Sequence, residues 1–129
     1  MKQAKTLVII FLLAAALPAA AHHSSAMFEE KKEVTVTGVV KEFQYTNPHS
    51  WLLVDTTGPN GEVTTWGFEA EGPSTLQRAG IRLSDFKPGT LITITGRPMK
   101  DGRPAAIWVK ATRKIDNKEF TPRPAPVIP

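Results

Sequence analysis

The chain has 129 residues and no cysteine, and its 16 basic and 12 acidic residues give it a formal net charge of +4. The absence of cysteine excludes disulfide bonds and thiolate metal sites. Two of the basic residues, Lys2 and Lys5, precede the predicted mature segment. That segment has no basic stripe, so we expect no nucleic-acid partner.

Residues 1–21 have the pattern of an export signal peptide. Residues 6–17 are apolar but too few for a membrane span, which needs roughly 20 residues. The small residues Ala19 and Ala21 suit cleavage after position 21. No later segment is apolar enough for a membrane helix. We therefore predict a bacterial protein that is periplasmic or secreted, with residues 22–129 as its mature part.

The middle of the chain predicts a small β-barrel. Runs rich in β-branched and aromatic residues indicate strands near 34–44, 51–56, 63–69, 91–97 and 105–112. A short helix is expected at 73–79, with Pro73 at its start and Gly80 after its end. Gly38 indicates a bulge or bend in the first strand. We predict an all-β fold with a short helix, a five-stranded OB-like barrel, with an SH3-like barrel as the alternative.

The same patterns divide the chain into segments. We predict a polar arm at 22–32, the barrel domain at 33–115 and a flexible Pro-rich tail at 116–129. The tail contains four prolines after position 121, a composition typical of extended chain.

Six aromatic side chains offer either core packing or a stacking platform for a base or sugar. Core packing is the expected role for most of them, and Trp51 and Trp108 are predicted to be exposed. In the fifth strand, alternation places Ile107, Val109 and Ala111 on one face and Trp108 on the other. The six are Phe43, Tyr45, Trp51, Trp66, Phe68 and Trp108.

Four short motifs stand out along the chain: Ala21-His22-His23-Ser24, Val36-Thr37-Gly38-Val39-Val40, Thr46-Asn47-Pro48-His49-Ser50-Trp51 and Phe86-Lys87-Pro88-Gly89. Together they resemble a family of small exported bacterial proteins of unknown function. The resemblance covers nearly the whole mature segment and implies a periplasmic location and a small β-barrel. It implies no activity, so function has to be argued from the residues.

All three histidines occur in two short contexts that point to a metal, most plausibly copper. After cleavage behind Ala21, His22 carries both an α-amine and an imidazole, a chelating pair of nitrogen donors. His49 supplies the third nitrogen of a site similar to a histidine brace, and His23 is an alternative or additional ligand. Cleavage behind Ala20 instead places His23 third, where it resembles an amino-terminal Cu(II) chelate.

A plain structural role competes with this interpretation. The paired histidines can simply flank a cleavage site or bind copper adventitiously, and His49 can order a turn. Asn47 and the rigid Pro48 make that turn a platform at the rim between the first two strands. Such rims are binding surfaces in OB barrels, so Asn47 and Trp51 are the candidate binding rim.

The resulting hypothesis is a periplasmic binding module rather than an enzyme, with copper(II) as ligand. The alternative is a structural or interaction module of the envelope that binds a periplasmic protein partner and no metal. A copper redox enzyme is a third class, but no carboxylate or Ser–His spacing in the sequence indicates catalysis.

Overall fold

The computed structural model describes residues 26–123. The predicted signal peptide, His22, His23 and the last six residues lie outside this range. The elements are β1 Val34–Gln44, β2 His49–Thr57, β3 Val63–Glu71, α1 Pro73–Arg78, a 3-10 helix Leu83–Phe86, β4 Leu91–Pro98, β5 Ala105–Arg113 and β6 Lys118–Phe120. No helix within residues 26–123 is long and apolar enough to cross a membrane.

The strands close into the predicted five-stranded barrel. They are hydrogen-bonded in the order β3-β2-β1-β4-β5-β6, and a parallel pairing between β3 and β5 closes the ring. That pairing is short and runs from Gly67 opposite Ala105 to Glu69 opposite Ile107. The OB-like topology inferred from the order of elements is therefore confirmed, with α1 between β3 and β4 as expected.

β1 serves both halves of the barrel and bends where it passes from one to the other. Val39 is opposite Asp55 of β2 and also opposite Leu91 of β4. The register slips between Val40 and Glu42, just after the predicted bend. A Cβ on Gly38 would lie 2.3 Å from the Asp55 carbonyl oxygen, so only glycine allows the close approach of β2.

The core fills the barrel with alternate strand side chains. Inward residues on β2, such as Leu52 and Val54, are completely buried, and Leu76 of α1 packs against the same cluster. Burial of apolar surface is the main driving force for such a fold. The buried set includes Val36, Val40, Phe43, Phe68, Ile81, Phe86, Ile92 and Ile94.

Trp108 is part of this core, and the prediction that it is exposed is wrong. Thr95 is opposite Lys110 while Gly96 is opposite Trp108, so Val109 is an extra residue in β5. A bulge of this kind changes the phase of the strand, and simple alternation cannot reveal it. Trp108 therefore points inward together with Ala111, and its exposed fraction is 2%.

Ordered structure continues into the segment that was predicted to be a flexible tail. β6 pairs with β5 through Ala111–Phe120, Thr112–Glu119 and Arg113–Lys118. The Phe120 ring lies 4.8 Å from the Phe86 ring, and Pro122 is completely buried. The apolar contacts of these two residues hold the segment on the barrel, which composition alone did not indicate.

The arm is also attached to the barrel. Phe28 forms an isolated antiparallel bridge with Met99 just beyond β4, and its exposed fraction is 2%. The Glu29 amide donates to the Pro98 carbonyl at 2.8 Å, and the Lys100 amide donates to the Met27 carbonyl at 2.9 Å. The end of the arm nearest the barrel is therefore fixed beside the last residues of β4.

Candidate functional site

A cavity of about 470 Å³ lies on the outside of the barrel, beneath the arm. It is bordered by the arm, the start of β2, the end of β3, the end of β4, the start of β5 and the last described residue. Its charged or titratable lining includes Lys31, His49, Glu69, Arg97 and Arg123. We call it the His49 cavity. Both ends of the described chain meet there.

The β2–β3 hairpin places His49 and Glu69 on the same outer face. His49 is opposite Glu71, and Trp51 is opposite Glu69. Ser50 is buried, so its neighbours along β2 point outward. The diagonal pair His49 and Glu69 therefore approach each other across the two strands.

Glu69 holds the imidazole of His49 in one orientation. Nδ1 of His49 contacts Oε1 of Glu69, whose side chain is 12% exposed, while the His49 side chain is 41% exposed. A neutral imidazole that donates its Nδ1–H to this carboxylate keeps an unprotonated Nε2. Carboxylate–histidine pairs of this kind orient metal-binding histidines in proteins.

The turn before His49 is secured by short-range hydrogen bonds. The Thr46 hydroxyl donates to the His49 carbonyl at 3.1 Å, and the Ser50 hydroxyl donates to the Thr46 carbonyl at 3.3 Å. β2 consequently begins at His49, two residues before the predicted start of the strand. His49 is thus held on a strand end and not on a free loop, which fixes its backbone more firmly.

Of the two predicted rim residues, only Trp51 lies at the border of the site. Asn47 is exposed and does not line the His49 cavity. Its side chain packs over Gly72, where a Cβ would lie 2.5 Å from the amide oxygen. Trp51 lines a neighbouring cavity of about 320 Å³ together with Phe28 and Glu69. Trp51 thus borders the site, whereas Asn47 lies in the turn before His49, outside the cavity.

Most acidic residues around the His49 cavity already have a cationic or imidazole partner. Glu69 contacts His49, and Glu71 pairs with Arg123 near the end of the described chain. Glu29 pairs with Lys32 at 3.4 Å. Glu69 and Glu71 were not singled out from the sequence, although the register of the β2–β3 hairpin would have placed them opposite Trp51 and His49.

His49 is the only predicted metal ligand that residues 26–123 include. Within that range no group of three or more histidine or carboxylate side chains is placed to hold a metal ion. His49 therefore offers one nitrogen donor, oriented by Glu69. The structure leaves the positions of His22 and His23 undescribed.

Comparison with known proteins identifies the family. No curated protein matches the chain. The model of a family of unknown function, DUF6152, matches residues 9–108, which is most of the chain and includes His22, His23, His49 and Arg97. The chain therefore belongs to the family of unknown function DUF6152.

Proposed function

We propose that the protein is an exported periplasmic binding module, and that it binds Cu(II) in the His49 cavity. The observation that carries the proposal is the meeting of the arm with an oriented histidine. Residues 28–31 line the cavity that contains His49, and Glu69 contacts Nδ1 of that histidine. In this proposal His49 Nε2 is one ligand, and the α-amine and imidazole of an amino-terminal His22 are the other two.

The length of the arm is compatible with this arrangement. Phe28, which is anchored to Met99, lies only six positions after His22. Six extended residues span at most about 20 Å, so a histidine at position 22 stays within reach of the cavity. His23 is an alternative ligand from the same segment.

The donor set favours copper on chemical grounds. Three nitrogen donors, of which two are imidazoles, suit Cu(II). Among the divalent first-row metals, Cu(II) generally has the highest affinity for a site of nitrogen donors. The carboxylate of Glu69 makes the imidazole of His49 a better donor. A binding role fits a site in which a potential ligand, His49, is already oriented by Glu69.

A Cu(II) competition titration tests the proposal. The exported protein is purified, and intact mass first establishes that it starts at His22. His49→Ala should weaken Cu(II) binding by at least about tenfold, because one of three ligands is lost. Adding several residues before His22 should weaken binding similarly, because the α-amine is displaced. Binding should also fall at acidic pH, because imidazole ligands must be deprotonated.

A peptide of residues 22–30 is the matched control for adventitious chelation. It should bind Cu(II) more weakly than the whole protein, because it lacks His49. If His49→Ala leaves the affinity unchanged and the peptide binds as well as the protein, the cavity has no part in binding copper. The interaction-module alternative would then be preferred.

A further inference from the structure

Arg97 is a partly buried cation that makes no ion pair with any residue from 26 to 123. Its Nε is sealed from solvent and has no hydrogen-bond partner there. The side chain lines the His49 cavity. Buried charges are normally paired, because removing them from water is costly. A guanidinium that lines a cavity and has no partner among the described residues therefore indicates a binding site for an anionic ligand.

The acidic residues of the cavity do not serve as that partner. Glu69 contacts His49, Glu71 pairs with Arg123, and Glu29 pairs with Lys32. The remaining acidic residue of the lining, Glu30, is exposed. Arg97 is opposite Ile107, which is in turn opposite Glu69, so an apolar side chain stands between the guanidinium and the nearest strand carboxylate.

The indole nitrogen of Trp108 is also buried without a hydrogen-bond partner, but it carries no such implication. Trp108 lies among aromatic rings, with Phe86 5.3 Å and Phe43 6.1 Å away. It is uncharged and lines none of the cavities described above. Burying a neutral donor among rings costs much less than burying part of a guanidinium.

We propose that the His49 cavity binds a small organic carboxylate through Arg97. The planar guanidinium matches the two oxygens of a carboxylate, which accept parallel hydrogen bonds from its terminal nitrogens. The apolar part of the ligand lies against Ala70 and Ile107, which line the same cavity. A cavity of about 470 Å³ is large enough for such a molecule.

Titration with benzoate in the absence of metal tests this proposal, so its outcome does not depend on copper binding. Backbone amide resonances of Arg97 and Ile107 should shift and saturate as benzoate is added. Benzamide, which has the same shape and no charge, should produce little change. Sulfate should bind more weakly than benzoate, because it lacks the apolar part.

Two substitutions locate the binding. Arg97→Gln should weaken benzoate binding at least about tenfold, the loss expected when a charged hydrogen-bond donor is removed. Arg97→Lys keeps the positive charge but loses the planar guanidinium with its two parallel donors, so it should also bind benzoate more weakly than the parent. Arg78→Gln, on the exposed face of α1, is the matched control and should leave binding unchanged.

The proposal is overturned if benzoate causes no saturable shift in the parent protein. Equal binding of benzamide or of sulfate would equally overturn the assignment to a carboxylate. If the spectrum of Arg97→Gln shows an unfolded chain, Arg97→Lys and the parent titrations still decide the question. Unchanged benzoate affinity in a folded Arg97 variant would place the anion elsewhere.

Discussion

Two arginines on neighbouring strands, Arg113 and Arg97, differ in how completely their charges are satisfied. Arg113 on β5 bonds to Asp85 and Asp116 and lies 5.1 Å from the Phe120 ring. Arg97 on β4 has no ion-pair partner among residues 26–123. Both side chains are partly buried, so exposure to water does not explain the difference.

Arg113 and Arg97 belong to two different regions of the barrel. We call the region around Arg113 the packed end and the region around the His49 cavity the open end. Arg113 joins the 3-10 helix, β5 and the turn before β6, beside the packed rings of Phe86 and Phe120. The His49 cavity, by contrast, is lined by a guanidinium that has no partner among residues 26–123 and by an imidazole whose Nδ1 contacts Glu69. We therefore expect Arg113 to contribute to stability and Arg97 to contribute to binding.

The largest expected effect is on the packed end. Trp108→Ala should lower the free energy of unfolding by about 3–5 kcal/mol, because it leaves a cavity among buried rings. Trp51→Ala, at the open end, should cost about half as much or less, because Trp51 is only partly buried. Urea denaturation of both variants measures the difference. Equal losses would contradict the distinction between the two ends.

The two arginines provide the most direct stability comparison. Arg113→Met should cost about 1–3 kcal/mol, because Asp85, with a side chain only 16% exposed, loses its cation. Arg97→Met should stay within about 1 kcal/mol of the parent, because it removes a partly buried charge that has no ion-pair partner among residues 26–123. Urea midpoints report both values. A greater loss for Arg97→Met would show that Arg97 has a structural partner.

Glu69→Gln tests whether the Glu69 carboxylate contributes to Cu(II) binding at the open end. It should weaken Cu(II) binding about tenfold while leaving urea stability nearly unchanged, because Gln accepts a hydrogen bond from His49 without the charge. Glu119→Gln, at an exposed position of β6, is the control and should change neither the Cu(II) affinity nor the urea stability. Competition titration measures the affinities. Identical Cu(II) affinities for Glu69→Gln and the parent would remove Glu69 from the site.

The smallest expected effect concerns acid stability at the packed end. Hydrogen bonding to Arg113, aided by its charge, lowers the pKa of Asp116 from 3.8 to about 2. A lowered pKa in the folded state stabilises the protein above the unfolded value, and this contribution is lost as pH falls from about 4 to 2. Asp116→Asn should therefore reduce the decrease of the urea midpoint as pH falls from about 4 to 2. An unchanged pH dependence of the urea midpoint would mean that the pair of Arg113 and Asp116 contributes nothing to folding stability.

The order and type of the elements could be predicted because each strand run is rich in β-branched residues and bounded by turn residues. The orientation of Trp108 could not, because the extra residue Val109 depends on the pairing of β4 with β5. β6 was missed because it is only three residues long and adjoins a Pro-rich segment. Local patterns reveal elements, whereas bulges and short edge strands depend on tertiary pairing.

For the site, the sequence indicated His49 because its Asn-Pro-His context is unusual. Glu69 and Arg97 were not indicated, because their significance depends on strand register and on closure of the barrel. Glu69 meets His49 only through the β2–β3 pairing, and Arg97 reaches the cavity only because β5 joins β3. These residues carry no local motif that marks them.

Pulsed electron paramagnetic resonance of Cu(II) bound to the processed protein determines whether His49 is a copper ligand. The remote nitrogen of each coordinated imidazole modulates the signal, so the number of bound rings can be counted. We predict two rings in the parent protein, from His22 and His49, and one ring in His49→Ala. The same ring count in the parent and in His49→Ala would contradict the assignment of His49 as a copper ligand.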